Sequence, residues 1–310
     1  MFMRFVLPTI FSRALICVFV CSVAGIPSAS AQESSRQDGV NVGGMSWARN
    51  FAPRGALEQQ AALQYAQIIQ QAQQARALGP DDFPQVVRLR TIANKLIPYT
   101  LSWNARSKNW KWEVNLLASK QINAYCMPGG KIAFYSGILD TLKLTDDEVA
   151  IVMGHEIAHA LREHGAEREG KARIANFGVQ LAEIFAGLKG YDTRVAGAAA
   201  GTLAKVGMLA FSRQDETEAD IVGLDIAARA GYDPRAGIVL WQKMGMVNKS
   251  APPQWLSTHP AGNNRIAEIQ KHLPEVMPLY AKAHGISMNQ LKSYVPNVKG
   301  ISPINYPLNQ

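Results

Sequence analysis

One segment, Val152–Leu161 (VMGHEIAHAL), constrains this chain more than any other part of it. His155 and His159 are four residues apart, so both imidazoles lie on one face of a helix, and Glu156 follows the first of them directly. Two such imidazoles can bind Zn²⁺, and the carboxylate then lies beside the water molecule of the metal. The flanking residues are apolar, which predicts a buried helix, and buried imidazoles and carboxylates are unfavourable unless a metal pairs with them. The segment therefore predicts a helix that carries part of a zinc site.

The residues just before this segment predict where the helix begins. Thr145 suits the N-cap position, and Glu148 stands three residues later, where its side chain can reach back to the cap in a capping box. Asp146 and Asp147 place negative charge in the first turn, which the helix dipole favours. We therefore expect the helix to begin directly after Thr145.

Two histidines leave a catalytic zinc one protein ligand short. A third histidine six residues after the second, as in metzincins, is excluded because Gly165 occupies that position. His164 is one residue short of it and lies on a different helical face, so we interpret it as a solvent-facing or capping histidine. The third ligand is then expected from a later segment.

The acidic segment Ser212–Asp220 is the best source for this ligand. Glu216 and Asp220 are four residues apart and share one helix face, so Glu216 can bind zinc while Asp220 accepts the free ring N–H of a ligand histidine. Glu218 is the other candidate, but this choice would leave the apolar Val222 in the supporting position. If the chain lacked His155 and His159, we would interpret these acidic residues as a charged helix face exposed to water.

Strand patterns precede the histidine-bearing helix, and helical patterns dominate the rest of the chain. Apolar and polar residues alternate over Trp110–Leu116, and two further short strands, Ile122–Tyr125 and Lys131–Tyr135, are joined around Met127–Gly130. The Pro-Gly-Gly of that connection weakens regular pairing and suits the edge of a sheet. The last helix is predicted at Asn263–His272. We expect a mostly helical α+β fold, with a small edge-exposed β-sheet packed on the histidine-bearing helix.

The N-terminus has the pattern of a targeting segment. Arg4 and Arg13 precede the uncharged apolar run Ala14–Ile26, and small residues then lead to a cleavage site near Ala31. We expect residues 1–31 to be a signal peptide and the mature chain to be exported and soluble. An uncleaved membrane anchor is the alternative.

Composition narrows the class of protein further. Beyond the predicted signal peptide, Cys126 is the one cysteine of the sequence and cannot form an internal disulfide. The formal net charge is +8, from scattered basic residues that are not interleaved with aromatic ones. This pattern does not support nucleic-acid binding, but it is compatible with peripheral association with an anionic membrane. We expect a flexible lead-in at 32–55, a single domain at 56–290 and a proline-punctuated tail at 291–310.

Four segments together resemble the CAAX-prenyl-endopeptidase/HtpX-type zinc metallopeptidases, and most of all their soluble periplasmic branch. The segments are HEIAH at 155–159, ETEAD at 216–220, NAYCMPGG at 123–130 and THP at 258–260. The resemblance extends over about residues 85 to 272. It implies that the predicted domain is a zincin-like metallopeptidase domain located in the periplasm of a bacterial cell envelope.

The resemblance also implies a site with one zinc ion per chain. Its metal ligands would be His155, His159 and Glu216, with Glu156 as general base and Asp220 supporting a ligand histidine. It further suggests that His259 lies near the metal, as a fourth ligand in a resting state or as a stabiliser of the oxyanion. An ordinary loop histidine before a proline is the alternative.

The expected activity is hydrolysis of peptide bonds in unfolded or misassembled envelope proteins, as part of protein quality control. An extended substrate could add to the strand at Ile122–Tyr125, where Asn123 and Ala124 would touch its backbone, although an ordinary edge strand is an equal interpretation. One rival is a non-catalytic holdase with a structural zinc, but such a site would not need Glu156. The other rival is a zinc amidase that acts on the cell wall.

Overall fold

The computed structural model describes residues 38–188, 210–247, 254–259 and 264–308, without the side chains of residues 177–188. The predicted signal peptide lies outside the described residues. Within them the fold is mostly helical with one small sheet, as predicted. The helices are α1 (Arg54–Gln74), α2 (Pro84–Leu96), α3 (Ser136–Thr141), α4 (Asp146–Leu161), α5 (His164–Leu188), α6 (Arg213–Arg229), α7 (Ala236–Val247), α8 (Gln254–Thr258) and α9 (Arg265–Ala283).

The sheet has three strands in the order β1-β3-β2, namely β1 (Glu113–Leu117), β3 (Lys131–Tyr135) and β2 (Ala124–Met127). The central β3 pairs with β1 in parallel and with β2 antiparallel. β1 begins three residues later than predicted, because the chain opposite it turns away at Gly129 and Gly130, which both have positive φ angles. Trp110 and Trp112 therefore have no partner strand there and pack against each other, with ring centroids 5.2 Å apart.

α4 is the histidine-bearing helix and lies in the centre of the core. It begins as predicted, because the Glu148 amide donates to the Thr145 hydroxyl and the Thr145 amide donates to the Glu148 carboxylate. Every residue from Glu148 to Leu161 is buried. Such burial on all sides explains why the segment is apolar around its whole circumference rather than on one stripe.

α4 and α6 approach each other closely where each has a glycine. A Cβ atom on Gly154 would lie 2.8 Å from the carbonyl oxygen of Gly223, and a Cβ atom on Gly223 would lie 2.7 Å from the amide nitrogen of His155. Real Cβ atoms essentially never approach other atoms so closely, so only glycine fits at this crossing. The contact brings the histidines of α4 next to the acidic residues of α6.

The C-terminal part of the chain differs from the sequence-based expectation. α9 extends through Pro274 and Pro278, eleven residues beyond the predicted end at His272. Proline disfavours a helix interior, but Leu273, Val276 and Met277 on this stretch are fully buried, and their burial outweighs that penalty.

The segment that follows α9 packs back onto the beginning of α4. The hydroxyl groups of Tyr294 and Thr145 lie 3.0 Å apart. The buried ammonium group of Lys243 donates both to Glu148, at 2.6 Å, and to Asn297, at 2.6 Å. No helix among the described residues is long and apolar enough to cross a membrane.

Candidate metal centre and active site

Four buried side chains converge beside α4 and can together hold a metal ion: His155, His159, Glu216 and His259. One ligand atom from each lies within 4.8 Å of all the others. The Nε2 atoms of His155 and His159 are 3.1 Å apart, and Nδ1 of His259 lies 3.0 Å from Oε1 of Glu216. Ligand atoms about 2.1 Å from a tetrahedral zinc lie about 3.4 Å from one another, so this donor set fits Zn²⁺ in both chemistry and spacing.

Asp220 supports the first histidine of this group. Its Oδ1 lies 3.0 Å from Nδ1 of His155, which places the ring proton on Nδ1 and leaves Nε2 free to face the other donors. The four-residue spacing of Glu216 and Asp220 predicts that they share one helix face. The structure brings both next to His155, whereas Glu218 pairs with Arg162 and His164.

Arg265, at the beginning of α9, is a functional residue that sequence reasoning missed. Its guanidinium donates to both oxygens of Asp220, one of them at 2.6 Å, and to Glu216 at 2.7 Å. Burial alone would raise the pKa values of these two carboxyl groups. The positive charge of Arg265 and the neighbouring imidazoles instead hold both pKa values below their ordinary range. No local pattern marks Arg265, because its partners lie more than forty residues earlier in the chain.

His164 is buried, which corrects its interpretation as a solvent-facing or capping histidine. Its Nδ1 lies 2.9 Å from Nδ1 of His159, and its Nε2 lies 3.1 Å from Oε2 of Glu218. Glu218 is also paired with Arg162. The second histidine of α4 is thus connected to a carboxylate through an intervening imidazole, whereas His155 contacts its carboxylate directly.

The surroundings of His159 and His259 shift the pKa values of the two rings in opposite directions. Burial, together with the adjacent imidazoles, lowers the pKa of His159 well below its ordinary value, which favours the neutral ring that binds metals. Burial also opposes the charged form of His259. Glu156 and Glu216 beside it nevertheless raise the pKa of His259 above its ordinary value.

Glu156 lies at the edge of the four-residue group and is held by α8. The indole Nε1 of Trp255 donates to Oε1 of Glu156 at 2.6 Å, and Nε2 of His259 lies 3.6 Å from the same oxygen. The backbone amide of Trp255 donates to the carbonyl oxygen of Ile122 at 3.1 Å. The short helix α8 thus contacts both the Glu156 carboxylate and the chain just before β2.

Asn123 and Ala124 lie at the beginning of β2 and contact none of the four metal-binding side chains by a described hydrogen bond. The Asn123 carbonyl accepts from the Tyr135 amide on β3, and its side chain accepts from the amide of Ala124 at 3.0 Å. Ala124 is buried against the core. Their predicted contact with a substrate stays a prediction.

Comparison with known proteins identifies the family. The sequence model of peptidase family M48 matches residues 87–273. The mitochondrial metalloendopeptidase OMA1 of Saccharomyces cerevisiae is 33% identical over 245 residues, which are 74% of this chain and 68% of that protein. The human mitochondrial metalloendopeptidase OMA1 is 32% identical over 54% of this chain and 33% of its own length. The beta-barrel assembly-enhancing protease of Escherichia coli is 29% identical over 58% and 38%. The chain thus spans about two thirds of the yeast relative, a third of the human relative and 38% of the bacterial one.

These comparisons contradict the predicted location in a bacterial periplasm. Three relatives that are 33%, 36% and 37% identical to this chain are all named as mitochondrial enzymes. The bacterial enzyme is the more distant match. The prediction was wrong because a positively charged start and an apolar run do not distinguish the compartments: transit peptides that direct proteins to mitochondria are also basic and amphipathic.

The family match covers the histidine-bearing helix α4, the acidic helix α6 and the loop that carries His259, which together form the buried donor group. On this evidence the chain belongs to peptidase family M48 and is a zinc metalloendopeptidase.

Proposed function

We propose that this enzyme hydrolyses peptide bonds in unfolded or misassembled polypeptides, with zinc held by His155, His159 and Glu216. One observation carries the proposal: a buried donor set of zinc type lies directly beside the carboxylate of Glu156. A structural zinc site has no use for such a carboxylate, whereas hydrolysis needs a base at this place.

Zinc in such a site lowers the pKa of a water molecule toward neutrality and polarises the substrate carbonyl. Glu156 takes the proton from the attacking water and then returns it to the departing amine. Asp220 keeps the His155 ring in the required tautomer, and Arg265 balances the charge of Asp220 and Glu216. Each of these groups is nearly excluded from solvent, which strengthens their electrostatic interactions.

The geometry supports a resting state that His259 closes. A catalytic zinc uses three protein ligands and keeps one position open, but His259 stands as a fourth donor in this structure. Trp255, in the short helix that ends just before His259, donates to one oxygen of Glu156. Withdrawal of the segment 254–259 would therefore open a position at the metal and release the base in one movement. This favours the role of resting-state ligand for His259 over that of oxyanion stabiliser.

The free side of β2 is the proposed binding place for the substrate backbone. The Asn123 carbonyl accepts from β3, so alternate residues of β2 pair with β3, while Ala124 and Cys126 direct their backbone groups to the other side. An extended polypeptide could add there as a further strand, and this mode accepts many sequences. The backbone amide of Trp255 already donates to the carbonyl oxygen of Ile122, just before β2.

The base is tested with Glu156→Gln and, as a matched control, Glu169→Gln on the surface of α5. Glutamine keeps the shape of glutamate but cannot accept the proton, so we expect unchanged zinc content and a loss of turnover of about 10²–10⁴-fold. The control should behave as wild type. The assay follows cleavage of an unfolded protein, with chelator and with zinc added back. Full turnover in the Glu156→Gln variant would refute the assigned base.

The resting state is tested with two variants of the closing segment. His259→Ala removes the fourth donor, and Trp255→Phe removes the indole N–H while it keeps a smaller aromatic ring, so both should raise basal cleavage of the unfolded protein. A fall in turnover with zinc retained would instead make His259 an oxyanion stabiliser. If neither the wild type nor His259→Ala cleaves the substrate but both suppress its aggregation, the protein is a holdase and the proposed function is wrong.

A further inference from the structure

A cavity of about 210 Å³ lies beside the metal-binding group and has no role in the proposed chemistry. Its wall includes the ring of His159 and the end of β2 with the turn that follows it. Phe211 also lines the cavity and stacks on His159, with ring centroids 4.0 Å apart. Most of its other lining side chains are apolar: Leu57, Trp110, Met127, Pro128, Ala160 and Ala166.

The position of the cavity relates it to the path of a substrate. A polypeptide added along β2 would pass Cys126 and Met127, which form part of the cavity wall, and its scissile bond would lie at the metal that His159 helps to hold. Side chains of an extended chain alternate between its two faces. One residue next to the scissile bond would therefore direct its side chain into this cavity.

The charged side chains around the cavity differ in whether they have a hydrogen-bonded partner of opposite charge. Glu58 accepts from Arg106 at 2.8 Å and from the indole of Trp110 at 3.2 Å. Glu163 accepts from Arg49 at 3.0 Å. Arg168 lies over the ring of Phe211, 4.6 Å from its centroid, and among the described residues no carboxylate is hydrogen-bonded to it. The carboxylates are thus already hydrogen-bonded to arginines, while Arg168 has, within the described part of the chain, only the longer-range attraction of Asp215.

We propose that this cavity is the specificity pocket of the enzyme and takes a bulky apolar side chain of the substrate, such as leucine, methionine or phenylalanine. The volume of about 210 Å³ is enough for such a side chain and far more than alanine would fill. Arg168 excludes lysine and arginine by charge repulsion. The proposal rests on the proposed endopeptidase function.

The test uses Gly165, which lines the pocket and whose added Cβ atom would meet nothing within 4 Å. The Cβ atom of a leucine at this position meets no close neighbour, so Gly165→Leu should occupy part of the pocket while the fold stays intact. Gly245→Leu is the matched control, because that position is equally open and lies elsewhere on the molecule. Each protein digests a mixture of unstructured peptides, and mass spectrometry identifies the residues on both sides of every cleaved bond.

We expect wild type and Gly245→Leu to show strong enrichment of bulky apolar residues on one side of the cleaved bond, and depletion of lysine and arginine. Gly165→Leu should lower kcat/KM for a leucine-containing peptide about tenfold or more, shift cleavage to alanine and serine, and leave the zinc content unchanged. Arg168→Gln should relax the exclusion of lysine, whereas Arg173→Gln, on the exposed side of α5, should not. Cleavage with no side-chain preference would overturn the pocket and leave the endopeptidase function intact.

A binding measurement keeps the proposal testable without turnover. Glu156→Gln is titrated by calorimetry with three peptides that differ at one residue, which is leucine, alanine or lysine. The leucine peptide should bind about tenfold or more tightly than either of the others, and Gly165→Leu in the same background should remove the difference. Equal affinities for the three peptides would refute the pocket even if the protein proved to have no protease activity.

Discussion

His164 offers the sharpest test of how the metal-binding histidines are held. For Nε2 of His159 to face the metal, its Nδ1 must carry the proton and donate to His164, which in turn donates from Nε2 to Glu218. His164→Phe keeps a ring in this buried space but removes the acceptor. The N–H of His159 then remains buried and unsatisfied, at a free-energy cost of about 1–3 kcal/mol. If this cost falls on the metal-bound state, zinc affinity should drop about 10- to 100-fold.

Competition with a chromogenic zinc chelator measures this loss, and circular dichroism shows whether the fold is intact. His164→Gln should recover part of the affinity, because its amide can accept from His159 and donate to Glu218. His272→Phe is the control, since this histidine of α9 pairs, within the described part of the chain, with Glu268 and Glu275 of its own helix. A zinc affinity of His164→Phe within twofold of wild type would refute the relay from Glu218 through His164.

Three further perturbations test the surroundings of the site by their effect on the free energy of unfolding, measured in urea. Gly154→Ala should lower it by about 1–3 kcal/mol and weaken zinc binding, because α4 and α6 can no longer approach as closely; an unchanged value would show that the helices separate freely. Burial, opposed by one backbone hydrogen bond, raises the pKa of Asp147 to about 6. Since the folded chain holds this proton more tightly than the unfolded one, ionisation destabilises the fold as pH rises from about 4 to above 6. Asp147→Asn should therefore add about 2–3 kcal/mol at pH 7.5 and almost nothing below about pH 3, and a gain that does not depend on pH would contradict this origin. Lys243→Met leaves Glu148 buried without its cation and should cost about 3–5 kcal/mol, so a loss below 1 kcal/mol would show that other groups compensate the charge.

Local patterns were enough to predict the parts of the site that depend on a single helix. The spacing of His155 and His159 placed both rings on one face of α4, and the capping box located the beginning of that helix. The same rule of four residues selected Glu216 and Asp220 over Glu218 on α6. These features depend on backbone geometry within a few residues, which the chain specifies wherever the helix is later packed.

The strands and the last helix were predicted less well, because their limits depend on distant partners. β1 begins where β3 offers it a partner and not where the alternation of its residues begins. α9 continues through two prolines because the core covers the residues between them. In both places burial or pairing from elsewhere in the chain overrode a local preference.

The completed site needed the tertiary structure. Arg265 binds carboxylates on α6, His164 connects His159 with Glu218, and α8 brings Trp255 onto Glu156. The pairs Arg265–Glu216, His164–Glu218 and Trp255–Glu156 each join residues more than forty positions apart in sequence. They form only because separate helices pack together around the site. The close crossing of α4 and α6 at two glycines makes that packing possible, and no periodicity in either segment reveals it. Periodicity decides which face of a helix a residue occupies, whereas the packing of the core decides what that face meets.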